Sequence, residues 1–450
     1  MLRRLFLTLL LLSASLSSAL ADGGRSPAAE TPSRRSKGPR WLRKLVTRSP
    51  VLSRHHVGLC ITDVASGQPV YAYQAGQYFI PASNMKLFSF YAGLRLLGDS
   101  LPSLRYVVRH DSLLFWGTGD PTLLHGDVPS RRAFEFLQRR PEKLFYTTIP
   151  CVEPFGPGWN WDDYNYYYQP ERGPFPIYGN VVRFAAKAGE ARPRMVPRSF
   201  AAQLEPAPAT LRTDDHVRRA PLENRFYLLP FTKSWIDETP FRTSPELLLS
   251  LLRDTLRRPL GMVPWKLRPR DSIRTLAGLP VDSLYRRVLQ VSDNFLAEQL
   301  LLMCSARLSR DSLSTERVIR TVRGRYLKDL PDAPVWVDGS GLSHQNLVTP
   351  RMLVALLLKL HKEVPEQRLL SLLAAGGGHG TLRRVYRDPA GPWLWGKTGT
   401  LSHVHNVCGY LRSRKGRLLA FSFMNNNHTL ETGEVRKEME RILTQVRERL

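Results

Sequence analysis

Strand patterning recurs at both ends of this chain, and that recurrence constrains its fold more than any other feature. Near the start, residues 57–62 and 69–73 are strand-like runs separated by Ala65-Ser66-Gly67-Gln68, which reads as a glycine-bearing hairpin. Near the end, residues 393–400, 404–411 and 418–425 read as three consecutive antiparallel strands, the last two joined at Arg414-Lys415-Gly416. Helical periodicity marks 284–289, 294–308, 316–326 and 350–360, and 434–450 is a charged amphipathic helix. The expectation is an α+β fold in which both chain ends build one antiparallel sheet flanked by helices.

From Leu101 to Pro264 the texture changes to frequent Pro, Gly, Trp and Tyr with short strand-like pieces such as 105–109 and 225–229. This region reads as a strand-rich insertion, with Ser244 capping a leucine-rich helix near its end. The expected division is a leader at 1–21, a flexible basic arm at 22–50, a main domain at 51–100 and 265–450, and inserted domain material at 101–264. The leader has Arg3 and Arg4, an apolar stretch from Leu5 to Leu12 and small residues up to Ala21, as a secretory signal does. No later run is long and apolar enough to suggest a membrane span, so an exported, soluble or peripherally associated protein is expected.

The formal charge is +26, and much of it is local. Arg34, Arg35, Lys37, Arg40, Arg43, Lys44 and Arg48 crowd the arm, which suits anionic envelope polymers or lipid headgroups. Nucleic acid is set aside, because no binding motif accompanies the charge and Trp41 is the only aromatic there. Cys60, Cys151, Cys304 and Cys408 are too few and too dispersed for a disulfide framework. One disulfide stays open, although apolar surroundings favour buried thiols.

Ser83 and Lys86 stand three residues apart at an expected helix start, so their side chains share one face: a nucleophile beside a candidate base. Alone, the pair also fits an ordinary helix start with a solvated lysine. Two further triplets follow, Ser292-Asp293-Asn294 between helical stretches and Lys397-Thr398-Gly399 in an expected strand. No metal or cofactor is implied. Gly117-Thr118-Gly119 does not continue into a phosphate loop, and His403 and His405 lack a third ligand at useful spacing.

Ser-x-x-Lys, Ser-x-Asn and Lys-Thr-Gly in that order form the pattern of penicillin-binding proteins and class A β-lactamases. Together with Pro81 to Leu87, Gly117 to Pro121, Gly158 to Asp163, Asp338 to Ser343, Gly380-Thr381-Leu382 and Lys397 to Leu401, they closely resemble the D-alanyl-D-alanine carboxypeptidase/endopeptidase family. These are the class C low-molecular-mass penicillin-binding proteins, peptidase family S13, and the resemblance runs from Val57 to Asn425. It implies a β-lactamase/transpeptidase-like domain interrupted after the nucleophile's helix. The implied protein is a periplasmic bacterial serine DD-peptidase that acts on peptidoglycan stem peptides, removing terminal D-alanine, cutting D-amino-acid cross-links, or both. β-lactams would be its covalent inhibitors.

The resemblance also implies roles. Ser83 attacks; Lys86 is the base, kept neutral by burial and by the charge of a nearby Lys397. Ser292 relays a proton to the leaving amine, and Asn294 meets the substrate's peptide amide. Lys397, Thr398 and Thr400, with Gly399 completing the motif, hold the terminal carboxylate, and the Ser83 and Thr400 N–H groups form an oxyanion hole. Asp163 matches, better than Asp162, the acid that recognises the amino end of the diamino acid. Residues 338–343 read equally as a tight glycine loop or a site-lining segment. Two departures bear on substrate choice: His344 where the family often has arginine after Gly-Leu-Ser, and His403 where it commonly has glycine. A β-lactamase would need a deacylating glutamate in a Glu-x-x-Leu-Asn context, absent between Ser292 and Lys397. A silent peptidoglycan-binding scaffold is the other alternative, and the intact triplets argue against it.

Overall fold

Both ends of the chain do meet in one sheet. In the computed structural model, which describes residues 38–450, six antiparallel strands lie in the order Ala374–Ala375, Leu394–Leu401, Val404–Arg412, Leu418–Asn426, His56–Asp63 and Pro69–Tyr73. The first long strand pairs with the last in unbroken register, from His56 opposite Asn426 to Asp63 opposite Leu419. Side chains alternate across the sheet. Cys408 and Tyr410 join the core formed with helices Lys86–Leu96, Asn294–Leu308 and Pro350–Glu363, while Val407 and Leu411 join the core under helix Thr432–Arg449. Because both faces are covered, strands Val404–Arg412 and Leu418–Asn426 are almost wholly buried, which is why they read as nearly continuous apolar runs, whereas Leu394–Leu401 is only half buried.

The leader and residues 22–37 of the arm lie outside the described residues. The rest of the arm is not flexible. Arg40–Thr47 is a helix whose Leu42 and Val46, one turn apart, are buried in the core shared with Thr432–Arg449. The arginines and lysine on its other face obscured that two-residue apolar seam. This helix, ahead of residue 51, therefore packs into the same core as the six-stranded sheet.

The insertion holds a five-stranded sheet in the order Leu260–Met262, Lys143–Tyr146, Ser112–Gly117, Ser100–Arg109 and Arg274–Pro280, and two three-stranded sheets. Arg274–Pro280 pairs with Ser100–Arg109, so inserted material extends to residue 280, past the expected boundary at 264. That strand is mostly exposed and carries Arg274, Thr275 and Gly278, leaving no apolar alternation to read. One apolar cluster joins the large sheet, both small sheets and helix Pro245–Leu256, so the insertion has a single main core. Among the described residues no helix is long and apolar enough to cross a membrane, and all four cysteines are free thiols.

Candidate active site

Ser83 lies in a one-turn 3-10 segment, Ala82–Met85, that feeds helix Lys86–Leu96. Three residues per turn nearly eclipse positions i and i+3, and Lys86 Nζ stands 2.8 Å from Ser83 Oγ. The same amine lies 2.6 Å from Asn294 Oδ1 and 2.7 Å from the Ser340 carbonyl oxygen. Both of those oxygens can only accept. A neutral amine has two hydrogens and one lone pair; the two acceptors claim the hydrogens, leaving the lone pair for the Ser83 hydroxyl.

Lys86 is fully buried, and burial lowers its pKa to about 8 against the opposing pull of Asp338, Asp293 and Glu298. Burial acts as expected, but the other expected contribution, repulsion from Lys397, is not among the causes that depress Lys86. Repulsion acts the other way: Lys397, equally buried, is held low by desolvation and then by Lys86.

Ser292 follows the π-helical turn Arg287–Val291 with left-handed backbone (φ 70°, ψ 35°), a conformation that costs a non-glycine residue about 1 kcal/mol. It places Ser292 Oγ 2.8 Å from Lys397 Nζ, which also donates to the Thr398 carbonyl at 2.6 Å. Asp293 caps the next helix by accepting the Leu296 N–H at 3.0 Å. Asn294 thus begins a helix, with Oδ1 on Lys86 and Nδ2 donating to the Tyr168 carbonyl of the insertion at 3.1 Å.

Three supporting residues had no assigned role in the sequence reading. Asp338 is buried and accepts from the Gly341 and Ser343 N–H groups, Asn346 Nδ2 and Trp159 Nε1 at 2.7–2.9 Å. These bonds fold 338–343 into the loop that delivers the Ser340 carbonyl to Lys86, so it is a tight turn and lines the site as well. Gly341 is obligatory there: its φ is +79°, and an added Cβ would lie 1.9 Å from the Ala82 carbonyl oxygen. Glu298 accepts the Ser340 N–H at 2.7 Å and pairs with Arg172 at 2.8 Å, both acid and base buried. A glutamate inside the leucine-rich, almost wholly buried helix Asn294–Leu308 was the available signal for that pair.

A cavity of about 730 Å³ opens over this cluster, lined by Ser83, Ser292, Asn294, Thr400, Asp163 and His344 among others. Asp163 is half-buried on its wall and accepts from Tyr168 Oη at 2.9 Å, whereas Asp162 is exposed and off the lining. His344 is exposed at the rim. Gly399 lets strand Leu394–Leu401 approach Ser83, since a Cβ there would lie 2.4 Å from the Pro81 oxygen and 3.1 Å from Ser83 N. Thr398 faces away from this cavity and donates to Thr381 Oγ1 at 2.9 Å. His403 is likewise off the lining; it adopts φ 62° in the strand turn, and its Nδ1 lies 2.9 Å from the His428 carbonyl.

The family model for the D-Ala-D-Ala carboxypeptidase 3 (S13) family matches residues 41–207 and 269–446. The chain is 21% identical over 430 residues to the D-alanyl-D-alanine carboxypeptidase DacB of Haemophilus influenzae, covering 86% of this chain and 88% of that one. It is 29% identical over 179 residues to the carboxypeptidase DacB of Mycolicibacterium smegmatis, spanning 37% of this chain but only 38% of that relative's length. The crystal structure of penicillin binding protein 4 (dacB) from Haemophilus influenzae superposes with a TM-score of 0.72 at 18% identity, over 90% of this chain and 99% of that one. The same protein complexed with a β-lactam gives a TM-score of 0.68. These structures share the fold seen here.

Proposed function

The chain belongs to the D-Ala-D-Ala carboxypeptidase 3 (S13) family, and from that membership and the geometry around Lys86 we propose that it is a serine DD-peptidase of peptidoglycan. The observation that carries this reading is the Lys86 amine, buried, depressed to about 8, and bonded so that its free lone pair faces Ser83 Oγ. Ser83 Oγ attacks the carbonyl of the penultimate D-alanine while its proton passes to Lys86, giving a tetrahedral oxyanion held by the Ser83 and Thr400 N–H groups. As the C–N bond breaks, the leaving amine takes a proton through Ser292 Oγ, hydrogen-bonded to Lys397 Nζ, and leaves an acyl-enzyme. Water then attacks the ester carbonyl, delivers its proton to the basic cluster and releases Ser83.

Lys397 and Thr400 receive the carboxylate of the departing residue, Gly399 gives it room, and Asn294 meets the peptide amide; Thr398, turned to Thr381, supports the strand rather than the carboxylate. Asp163 and His344 contact the diamino-acid side chain. β-lactams acylate Ser83 by the same first step. Peptidoglycan lies outside the cytoplasm, so residues 1–21 serve as an export signal and the basic segment that follows holds the enzyme near anionic envelope polymers. Deleting residues 22–37 is expected to weaken retention on isolated sacculi without altering hydrolysis of a small substrate; lost hydrolysis would exclude a tethering role.

The decisive assay incubates the purified protein with muropeptides. Release of D-alanine or of uncrosslinked monomers supports the peptidase, whereas rapid penicillin turnover with neither product marks a β-lactamase. Ser83→Ala should abolish covalent labelling by a fluorescent β-lactam, and persistent labelling would remove Ser83 from the reaction.

A further inference from the structure

A second hollow lies on the other side of strand Leu394–Leu401. It has a volume of about 280 Å³ and is lined by Thr398, Thr400, His405, Arg383 and Arg436 among others, with no carboxylate in its lining. Thr400 borders both this hollow and the cavity over Ser83, so the two meet at that residue.

Its chemistry is cationic and donor-rich. Arg436 is exposed on helix Thr432–Arg449 and makes no hydrogen bond or ion pair with any described residue. Glu440, one turn further along, accepts the Tyr386 N–H at 2.5 Å instead. Arg383 contacts only the Gly380 carbonyl, at 3.3 Å. His405 stands directly across the ladder from Thr400, with Nδ1 2.8 Å from Thr400 Oγ1, and is 4% exposed. Burial and the charge of Arg436 hold it neutral, with a pKa of about 3, and its Nε2 has no partner among the described residues. Two uncompensated guanidinium groups, threonine hydroxyls and a buried imidazole with one open nitrogen together suit a carboxylate.

The direction of the reaction decides which carboxylate. In the proposed mechanism, on which this inference rests, the departing residue places its carboxylate at Lys397 and Thr400, so the remainder of the departing fragment lies beyond Thr400, the residue that borders this hollow as well. When terminal D-alanine leaves, that remainder is one methyl group. When a cross-link is cut, it is an entire second stem peptide with free carboxylates of its own. We propose that the hollow holding Arg383 and Arg436 binds this anionic second stem, and so favours cross-linked peptidoglycan over monomeric pentapeptide as substrate.

The test uses the full chain and two purified muropeptides, a monomeric pentapeptide and a cross-linked dimer. Arg436→Gln and the double variant Arg383→Gln/Arg436→Gln are compared with the unaltered protein. On the dimer, kcat/KM is expected to fall by about fivefold to tenfold, chiefly through KM. Monomer hydrolysis and β-lactam acylation should stay within about twofold, the scatter expected for a surface change away from the chemistry. Arg436→Lys should retain most of the dimer activity, and a dimer whose free carboxylates are amidated should be insensitive to Arg436→Gln. Unchanged dimer cleavage in the variants, parallel losses on both substrates, or a protein that cuts the monomer but never the dimer would each overturn the inference. Inactivity of the unaltered protein on both muropeptides would instead overturn the peptidase reading itself.

Discussion

At the scale of single residues, the site turns on how one lysine is kept short of a proton. With its pKa near 8, Lys86 is neutral in roughly a tenth of molecules at pH 7 and in most of them at pH 9. The base works only when deprotonated, so the second-order rate of acylation by a β-lactam should rise about tenfold between those values and then level off. A flat profile would take Lys86 out of the base role. Asp338 offers a sharper version of the same measurement. Its carboxylate raises the Lys86 pKa and takes five hydrogen bonds, two on Oδ1 and three on Oδ2. Asp338→Asn removes the charge and turns an amide NH₂ toward groups that donate. The acid limb of the profile should therefore move to lower pH while the plateau drops; a lower plateau with an unmoved limb would mean that the aspartate only shapes the loop.

Elements set the distances that those residues need. Gly399→Ala would drive a Cβ into the Pro81 oxygen, a backbone atom that cannot swing aside, and so pry the strand off the nucleophile turn. Acylation should fall by about a hundredfold, the scale of a lost oxyanion donor, with little change in the unfolding midpoint. Leu42→Ala tests the short helix near the start of the described chain: its fully buried leucine should cost about 2–5 kcal/mol in denaturant unfolding, whereas a flexible arm would cost nothing. That helix also shows where sequence reading stops. The terminal strands and the three triplets were legible because apolar runs bounded by turn residues and fixed spacings are local. Two apolar residues among arginines, and a strand as polar as Arg274–Pro280, carry too little local pattern to be seen. The tie of Asp338 to Gly341, and those of Glu298 to Ser340 and Arg172, depend on a folded loop and on partners far apart in sequence.

For the molecule as a whole, the buried Arg172–Glu298 pair joins the insertion to the helix that starts at Asn294. Arg172→Met would leave the buried Glu298 without its cation, and should lower stability by about 3–5 kcal/mol. Adding Glu298→Gln should recover part of that loss, and no recovery would mean that packing around Arg172, rather than charge, holds the joint. The pairing of His56–Asp63 with Leu418–Asn426 has a consequence in time. A ribosome delivers Ser83 and Lys86 early, but Lys397 and the strand that seats it come only after several hundred further residues. Closing so long a loop is slow, and until it closes the nucleophile has no second lysine and no wall beside it. An emerging chain is therefore inert toward its own substrate, and chemistry switches on only when the sheet is complete.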